Sequence, residues 1–438
     1  MIQFYTAYAV VLTIFFYQMI KDRSTDVVFA PWPGFSFMFG TYFLASTLAY
    51  DGVIEDEQWT LYALALGGFF VGALMGKHLF ALRVRKGAAL NHELDSFVFN
   101  RTLNFSALVI MVALALACTM VMMLKAGPPL LAENVDAARV AYLDNGYLGE
   151  VAALLDVGAV FSIGYLLTKR DHGGGKWKTL AAALVVVLFI IVAVLAGSRS
   201  RLLKVGVPAV FLFHFFRNGI PIRSLLVTTL SSALFIGFLG YFRNLTKYGS
   251  SLAQGIGGEA ANWSAFDYTL FFMRKELANG AYGLSEVIRV IPARAPFQQG
   301  LLHLAPLVSP IGIKLPNPGD FFKAVLGGTW DGFGLAATFI APMYADFGTL
   351  GVFALSILYS FIFTVAYLLT RIASPSSAYW ACVYAMLFYV MVSGMRSDMV
   401  SFEALWFTGA AVVLRLLSYH RRGVSYLVGR YRAETERE

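Results

Sequence analysis

The chain alternates between long uncharged hydrophobic runs and shorter polar connections. A helix needs roughly 20 apolar residues to cross the hydrocarbon core of a bilayer. On that basis we predict eleven spans, at about 4–20, 28–49, 59–82, 104–124, 148–168, 179–196, 202–216, 224–242, 336–370, 378–394 and 399–418. The ninth is too long for one straight crossing, so we expect a re-entrant or interfacial piece around 336–347 and a helix from Leu350. The pattern predicts an all-α fold, a polytopic membrane bundle of about 11 transmembrane helices.

Composition supports this class and excludes others. The chain is 58% hydrophobic and 14% charged, whereas soluble domains carry about 25% charged residues. Continuous apolar runs differ from the short alternating strands of a transmembrane barrel. The net charge of +8 comes mainly from bases at the ends of hydrophobic runs, which indicates topology and argues against a nucleic-acid partner.

The distribution of basic residues predicts the orientation. If Lys21 faces the cytoplasm, the cytoplasmic connections and tail hold 18 Lys/Arg, and the short connections on the other side hold six. Cytoplasmic loops carry the excess of basic residues in membrane proteins. We therefore expect the amino terminus outside and the carboxyl terminus inside, with residues 419–438 as a cytoplasmic basic tail.

One long polar interval, 243–334, is predicted to lie outside and to carry the chemistry. It contains eight Lys/Arg and six Asp/Glu, together with apolar clusters at 268–273, 300–304 and 321–326. A loop this long is usually functional or disordered. Because of its apolar clusters, we expect it to fold against the membrane bundle.

The sharpest local signal is the turn Gly197-Ser198-Arg199, which precedes a hydrophobic run of only 15 residues at 202–216. To cross the bilayer, that helix must begin near Ser198, which draws Arg199, Arg201 and Lys204 into the depth of the outer leaflet. Charges at that depth normally face a cavity or a partner. A helix start with guanidinium groups suits phosphate. The alternative is that these side chains snorkel to lipid headgroups.

Other polar residues are candidates for the same end of the molecule. Arg396 and Asp398 occupy a tight outside turn, where they either pair with each other or reach a cavity together with Glu403. Asp156 is an acid near the middle of its span, without a second deep acid or base in view, and such a residue marks a function or a buried pair. His303 in the long interval is a possible base. Two further basic clusters, Arg243 with Lys247 and Arg274 with Lys275, either anchor helix ends to headgroups or belong to the site.

Several chemistries have no motif in this sequence. There is no phosphate-binding P-loop, no metal-ligand spacing, no nucleophile elbow and no dinucleotide fingerprint. Cys118 and Cys382 lie inside apolar runs and predict neither a disulfide nor a metal site. We therefore expect no cofactor, no metal and no nucleotide. A substrate used on the outer face must arrive already activated, and a lipid-linked pyrophosphate fits.

Four segments give the chain a resemblance to the Wzy-type oligosaccharide repeat-unit polymerases, which include O-antigen and enterobacterial-common-antigen polymerases. Gly197-Ser198-Arg199 resembles the family's G-[ST]-R turn. Phe297-Gln298-Gln299-Gly300, with the later Ala305-Pro306 and Lys314-Leu315-Pro316, is similar to its loop segment. The stretch 332–348 (GFGLAATFIAPMYADFG) resembles its G-x-G…Y-x-x-F-G stretch, although many relatives carry an acid where this chain has Pro342. Residues 396–402 resemble its last outside turn.

The resemblance implies a glycosyltransferase C-like fold and an enzyme of the bacterial inner membrane. Such an enzyme joins undecaprenyl-pyrophosphate-linked repeat units at the periplasmic face. Its implied partners are these lipid-linked oligosaccharides, membrane lipid and a possible chain-length regulator protein. The hydroxyl of one unit attacks the anomeric carbon of the growing chain, and the lipid pyrophosphate leaves. The implied roles are pyrophosphate binding by Arg199, Arg201 and Arg243, binding of sugar or phosphate by Arg274, Lys314, Arg396 and Tyr344, and orientation or deprotonation of the acceptor by Asp398 or Glu403.

Two other functions stay open at this stage. The first is a ligase that moves finished glycan onto an acceptor. The second, motivated by Asp156, is a transporter or flippase of lipid-linked oligosaccharides. Transporters place polar residues near the midplane and often contain inverted repeats. The charges here gather on the predicted outer side and no repeat is visible, so we favour the enzymes.

Overall fold

The computed structural model describes residues 1–22, 25–84, 105–132, 138, 142, 147–168, 176–197, 199–217, 219–248, 263–308, 313, 315–328, 337–371, 377–397, 399 and 407–416. Every regular element in these ranges is helical, so the all-α prediction is confirmed. The helices are α1 (Ile2–Asp22), α2 (Asp26–Phe29), α3 (Ser36–Ala49), α4 (Asp56–Val84), α5 (Phe105–Ala126), α6 (Tyr147–Ala152), α7 (Leu154–Thr168), α8 (Lys176–Leu195), α9 (Arg199–Phe216), α10 (Ile222–Tyr248), α11 (Ala265–Val290), α12 (Leu301–Val308), α13 (Pro318–Val325), α14 (Ile340–Arg371), α15 (Ser377–Gly394) and α16 (Phe407–Leu416).

Length and hydropathy qualify six stretches within the described ranges as membrane spans. They are Ile2–Lys21, Asp56–Leu79, Phe105–Leu131, Leu148–Thr168, Lys176–Leu195 and Ile340–Arg371. The chain is thus a multi-pass membrane protein by composition, whereas the count of eleven spans stays a prediction. The run predicted at 28–49 is divided into α2, an irregular turn at Pro31–Phe35 and α3, because proline lacks the N–H that helical bonding requires.

Glycines on one face of α4 bring it against α14. Gly68, Gly72 and Gly76 recur every fourth residue. A Cβ built at Gly72 would lie 2.2 Å from the carbonyl oxygen of Ile357 on α14, and a Cβ at Gly76 would lie 3.0 Å from Thr364. Membrane helices gain no hydrophobic free energy by leaving lipid, so close van der Waals approach at small residues stabilises them instead. The α4–α14 pair is therefore a closely packed contact within the bundle.

Helix α14 is broken, as the length of the ninth hydrophobic run predicts. Gly348 has φ 66° and ψ −159° inside the helix, a conformation that only glycine adopts without strain. Every residue in 340–346 is buried, whereas Leu350 beyond the break is 82% exposed. The chain therefore forms an enclosed segment first and then a long helix with a lipid-facing side.

Helix α11 lies in the predicted outside interval, and its own sequence supplies the residues that cap its amino-terminal end. Ser264 and Asp267 form a capping box, in which each side chain accepts from the other residue's backbone N–H. The hydroxyl and backbone N–H of Ser264 lower the pKa of Asp267, because both donate to its carboxylate. One face of α11 is apolar and packs against α3, so this part of the interval is a folded layer on the bundle.

Two side chains from the bundle hold the middle of α11. Ser46 on α3 donates to the carbonyl oxygen of Leu277 (2.7 Å) and accepts from the backbone N–H of Ala281 (2.8 Å). Gln58 on α4 donates to the carbonyl oxygen of Ala281 (3.1 Å). A hydroxyl placed between backbone groups four residues apart fixes the helix at that turn, because buried backbone polar groups need partners.

Charged pairs lie at two opposite ends of the bundle. At one end, Asp26 joins His214 of α9 (2.5 Å) and Arg371 of α14 (2.9 Å). The bond from His214, followed by the charge of Arg371, lowers the pKa of Asp26. At the other end, Asp51 pairs with Arg274 of α11. We call this second end the outer end, after its predicted orientation; which compartment it faces stays a prediction.

Candidate functional site

The segment before α12 is bonded to the end of the enclosed part of α14. The backbone N–H of Gln298 donates to the carbonyl oxygen of Ala345 (2.9 Å), and that of Gln299 donates to the carbonyl oxygen of Asp346 (3.0 Å). Gly300 then turns the chain into α12 with φ 93°. A Cβ there would lie 2.9 Å from the Phe347 ring. Backbone bonding and a required glycine together fix the start of α12 over α14.

Asp346 is the buried acid of this junction, with 1% of its surface exposed. Its Oδ1 accepts from the backbone N–H of Leu302 (3.2 Å), and its Oδ2 accepts from the backbone N–H of His303 (3.1 Å). A buried carboxylate needs such donors because burial without them is costly. The first N–H groups of a helix are without internal partners, so Asp346 and α12 satisfy each other.

His303 completes the arrangement. Its Nδ1 lies 2.5 Å from Oδ2 of Asp346, and its side chain is 15% exposed. His303 also lines a crevice with Leu302, Pro318, Phe339, Pro342, Tyr359 and Met399. Since Oδ2 is an acceptor, the contact assigns the ring proton to Nδ1. The other ring nitrogen, Nε2, is then an acceptor in a largely apolar surrounding.

The turn after α15 reaches the same junction. The backbone N–H of Phe339, just before α14, donates to the carbonyl oxygen of Gly394 (2.9 Å). Met399, beyond that turn, lines the crevice beside His303. Three of the four segments that carry the family resemblance therefore meet at the outer end: the segment at 297–300, the enclosed part of α14 and the final turn.

Tyr344 lies behind this junction and is 3% exposed. Its hydroxyl lies 2.9 Å from Oε1 of Glu57 on α4 and 3.3 Å from the carbonyl oxygen of Ile291. Both contacts tie α14 to neighbouring elements. A substrate bound by Tyr344, as predicted, would therefore have to compete with Glu57 and Ile291 for the hydroxyl.

Arg274 and Arg396 are both held by acids at the outer end. Arg274 pairs with Asp51 (2.5 Å), and the two side chains are 57% and 86% exposed. Arg396 pairs with Glu276 of α11 (2.5 Å), with 48% and 24% exposed. The pairing of Arg396 with Asp398 considered from the sequence lies outside the described residues, and within them Arg396 pairs with α11. The two arginines link α11 to the α3–α4 connection and to the turn after α15.

Arg201 and Asp156 form a buried pair, which corrects the expectation that no second deep charge accompanies Asp156. Nε of Arg201 donates to Oδ1 of Asp156 (2.8 Å), and Nη2 donates to the carbonyl oxygen of Ala152 (3.0 Å). Only 9% of Arg201 is exposed. Its guanidinium is thus engaged within the bundle, and the predicted contact with pyrophosphate has to compete with this pair.

The other predicted site residues are described only in part. Helix α9 begins at Arg199, close to the start predicted near Ser198, and α10 continues through Arg243 to Tyr248. The side chains of Arg199 and Arg243 lie outside the described part of the chain, as do residues Lys314, Asp398 and Glu403. Within the described part, no group of three or more His, Cys, Asp or Glu is placed to hold a metal ion.

Sequence reasoning noted His303 but missed its partner. Asp346 lies inside a mainly apolar stretch, where an acid needs donors, and that is the signal by which it could have been found. The pairing itself joins residues that are 43 positions apart, and no local pattern encodes it. Comparison with protein families, curated proteins and solved structures finds no match for this chain.

Proposed function

We propose that this protein is a glycosyltransferase that polymerises undecaprenyl-pyrophosphate-linked oligosaccharide repeat units at the outer face of the membrane. The observation that supports the proposal is the meeting of the three resembling segments at the outer end. The backbone N–H groups of Gln298 and Gln299 donate to the carbonyl oxygens of Ala345 and Asp346, and Met399 of the final turn lines the crevice beside His303. Segments that are distant in sequence, and that resemble one family of enzymes, thus lie together, which supports a common site.

The leaving group of this reaction brings its own negative charge. A lipid pyrophosphate that departs from an anomeric carbon is stabilised by fixed cations, which is the largest contribution in many preorganised sites. Arg199 and Arg243 stand at the helix positions predicted to supply that charge. Holding donor and acceptor lipids in one site adds the effect of proximity. The chemistry needs no nucleotide because the donor is already activated.

The activity is tested with purified protein in proteoliposomes. The substrate is the undecaprenyl-pyrophosphate-linked repeat unit extracted from cells that lack the protein. Polymer formation together with release of undecaprenyl pyrophosphate is expected. If neither appears, the proposal is wrong. In cells without the protein, single repeat units on the acceptor indicate a polymerase, free polymer on the lipid indicates a ligase, and repeat units retained on the inner leaflet indicate a flippase.

Arg199→Ala tests the proposed cation. We expect loss of long chains with unchanged membrane insertion, because the leaving group loses its charge partner. The matched control is Arg289→Ala: Arg289 is also predicted to lie outside, but it pairs with Glu286 within α11, and we expect wild-type chain lengths. Wild-type chain lengths in Arg199→Ala would remove Arg199 from the site.

A further inference from the structure

We infer that His303 is the general base that removes the proton from the acceptor hydroxyl, and that Asp346 positions it. This inference rests on the proposed glycosyl transfer. It replaces the two acids, Asp398 and Glu403, that the resemblance offers for this role.

The first argument is the direction in which the imidazole can act. Asp346 accepts from two backbone N–H groups and from Nδ1 of His303. These bonds hold the ring in one tautomer and one orientation, which leaves the lone pair on Nε2 free to accept a proton. The same division of roles between an acid and a histidine operates in hydrolases of unrelated fold.

The second argument is the rigidity of the support. Asp346 is buried in the enclosed part of α14, directly before the break at Gly348, and its own carbonyl oxygen is bonded by the backbone of Gln299. His303 stands on the first turn of α12, whose start is fixed by the same contacts. A base held in this way stays in register with its substrate, and positioning of this kind is what general base catalysis requires.

The third argument is the surrounding of Nε2. The described groups around His303 are the Asp346 carboxylate, the Tyr359 phenol (ring centroids 6.4 Å apart) and the Phe347 ring (6.3 Å). The rest of the crevice is lined by apolar side chains and prolines. The charged group in printed contact with the imidazole is the Asp346 carboxylate, which stabilises a proton arriving on Nε2.

The proton and electron balance of the step is complete with these groups. The acceptor oxygen forms a bond to the anomeric carbon as its proton passes to Nε2 of His303. The bond between that carbon and the pyrophosphate oxygen breaks, and its electron pair leaves with the lipid pyrophosphate. The imidazolium then returns its proton to water.

His303→Gln tests the base in the proteoliposome assay. We expect kcat to fall about 100- to 10,000-fold, the usual contribution of a general base, with little change in KM for the lipid-linked repeat unit. Wild-type activity should decline at acid pH, where a protonated imidazole cannot accept, and the variant should lose this decline. Free imidazole should restore activity to His303→Ala. The control is His78→Gln, an exposed histidine on α4, with wild-type kinetics expected.

Asp346→Asn tests the positioning residue. An amide places an N–H donor against Nδ1, which moves the ring proton to Nε2 and blocks the base. We therefore expect a fall in kcat that free imidazole does not relieve, because the His303 ring still occupies the position, while Asp346→Glu retains part of the activity.

The outcomes separate the inference from the function on which it depends. If the wild type makes polymer and His303→Gln has an unchanged kcat, the role of His303 as the base is wrong, while the proposed polymerase function stands. A reduced kcat with an unchanged pH profile and no imidazole rescue means that His303 has a structural role, and this also overturns the inference. No polymer from the wild type overturns the proposed function itself. If the variants fail to fold, the wild type is treated with diethyl pyrocarbonate, which modifies histidine. The inference requires that this treatment inactivates the enzyme, that hydroxylamine restores the activity and that bound substrate protects against the inactivation.

Discussion

Arg201 and Asp156 are joined by a hydrogen bond of 2.8 Å between Nε and Oδ1 that links the first turn of α9 to α7. Their side chains are 11% and 2% exposed. The pair places two opposite charges inside a bundle made mainly of apolar helices. It also fixes the first turn of α9, which begins at Arg199.

Arg201→Leu should therefore destabilise the protein strongly. It removes the guanidinium that pairs with the buried Asp156 carboxylate, and breaking such a pair typically costs about 3–5 kcal/mol in the free energy of unfolding. The melting temperature in detergent measures the effect. The double variant Asp156→Leu with Arg201→Leu should recover much of the loss, because no charge stays uncompensated. A double variant less stable than either single one would contradict this account.

Gly72→Ala should destabilise the α4–α14 pair. The added methyl group would lie 2.2 Å from the carbonyl oxygen of Ile357, and overpacking of this kind costs about 1–3 kcal/mol. The matched control is Gly206→Ala on α9, where nothing lies within 4 Å of the added Cβ, so no loss is expected. Thermal melting of both variants makes the comparison. Equal melting temperatures would mean that the two helices separate easily.

Asp26→Asn should weaken the dependence of stability on acid pH. The bond from His214, and then Arg371, lower the pKa of Asp26 below that of the unfolded chain, which is about 3.9. The charged form is thus preferred in the folded state. Its contribution is present above the unfolded pKa and is lost as pH falls from there through the lower folded pKa. Melting temperatures measured below about pH 4 should fall more steeply for the wild type than for the variant.

Ala293→Cys and Lys21→Cys test which end faces outward. Both positions are exposed, at opposite ends of the bundle. In a background without Cys118 and Cys382, a membrane-impermeant maleimide should label Ala293→Cys in intact spheroplasts. It should label Lys21→Cys only after the membrane is opened, because basic connections stay in the cytoplasm. The reverse labelling would place the candidate site on the cytoplasmic face.

The helices and the break in α14 could be predicted from the sequence, whereas the partners of its charges could not. Hydrophobic runs of spanning length must be helical in lipid, because each backbone polar group needs an internal partner. The excess length of the run at 336–370 then required an interruption, which Gly348 supplies. Pro31 and Pro33 gave an equally local signal that the second hydrophobic run is divided. That signal was missed because the run was identified from its number of apolar residues alone.

Pairings between distant elements depend on how the helices assemble. A carboxylate in an apolar stretch is predicted to need hydrogen-bond donors. The sequence around Asp156 does not identify Arg201 as the donor, however, and the sequence around Asp346 does not identify His303. The same limit applies to Arg396, because nothing in the sequence around it identifies Glu276, with which it pairs in the structure. Local reasoning identified the charged residues; only packing identified their contacts.

The break at Gly348 divides one helix into parts that should tolerate mutation very differently. Residues 340–346 are all buried, so each exchange there disturbs several neighbours at once. Beyond the break, Leu350, Leu358 and Ile362 are 82%, 47% and 45% exposed. Any apolar side chain can contact lipid at these positions. We therefore expect exchanges among Leu, Ile, Val and Phe to be tolerated at the lipid-facing positions, and most exchanges in the short segment before the glycine to be harmful.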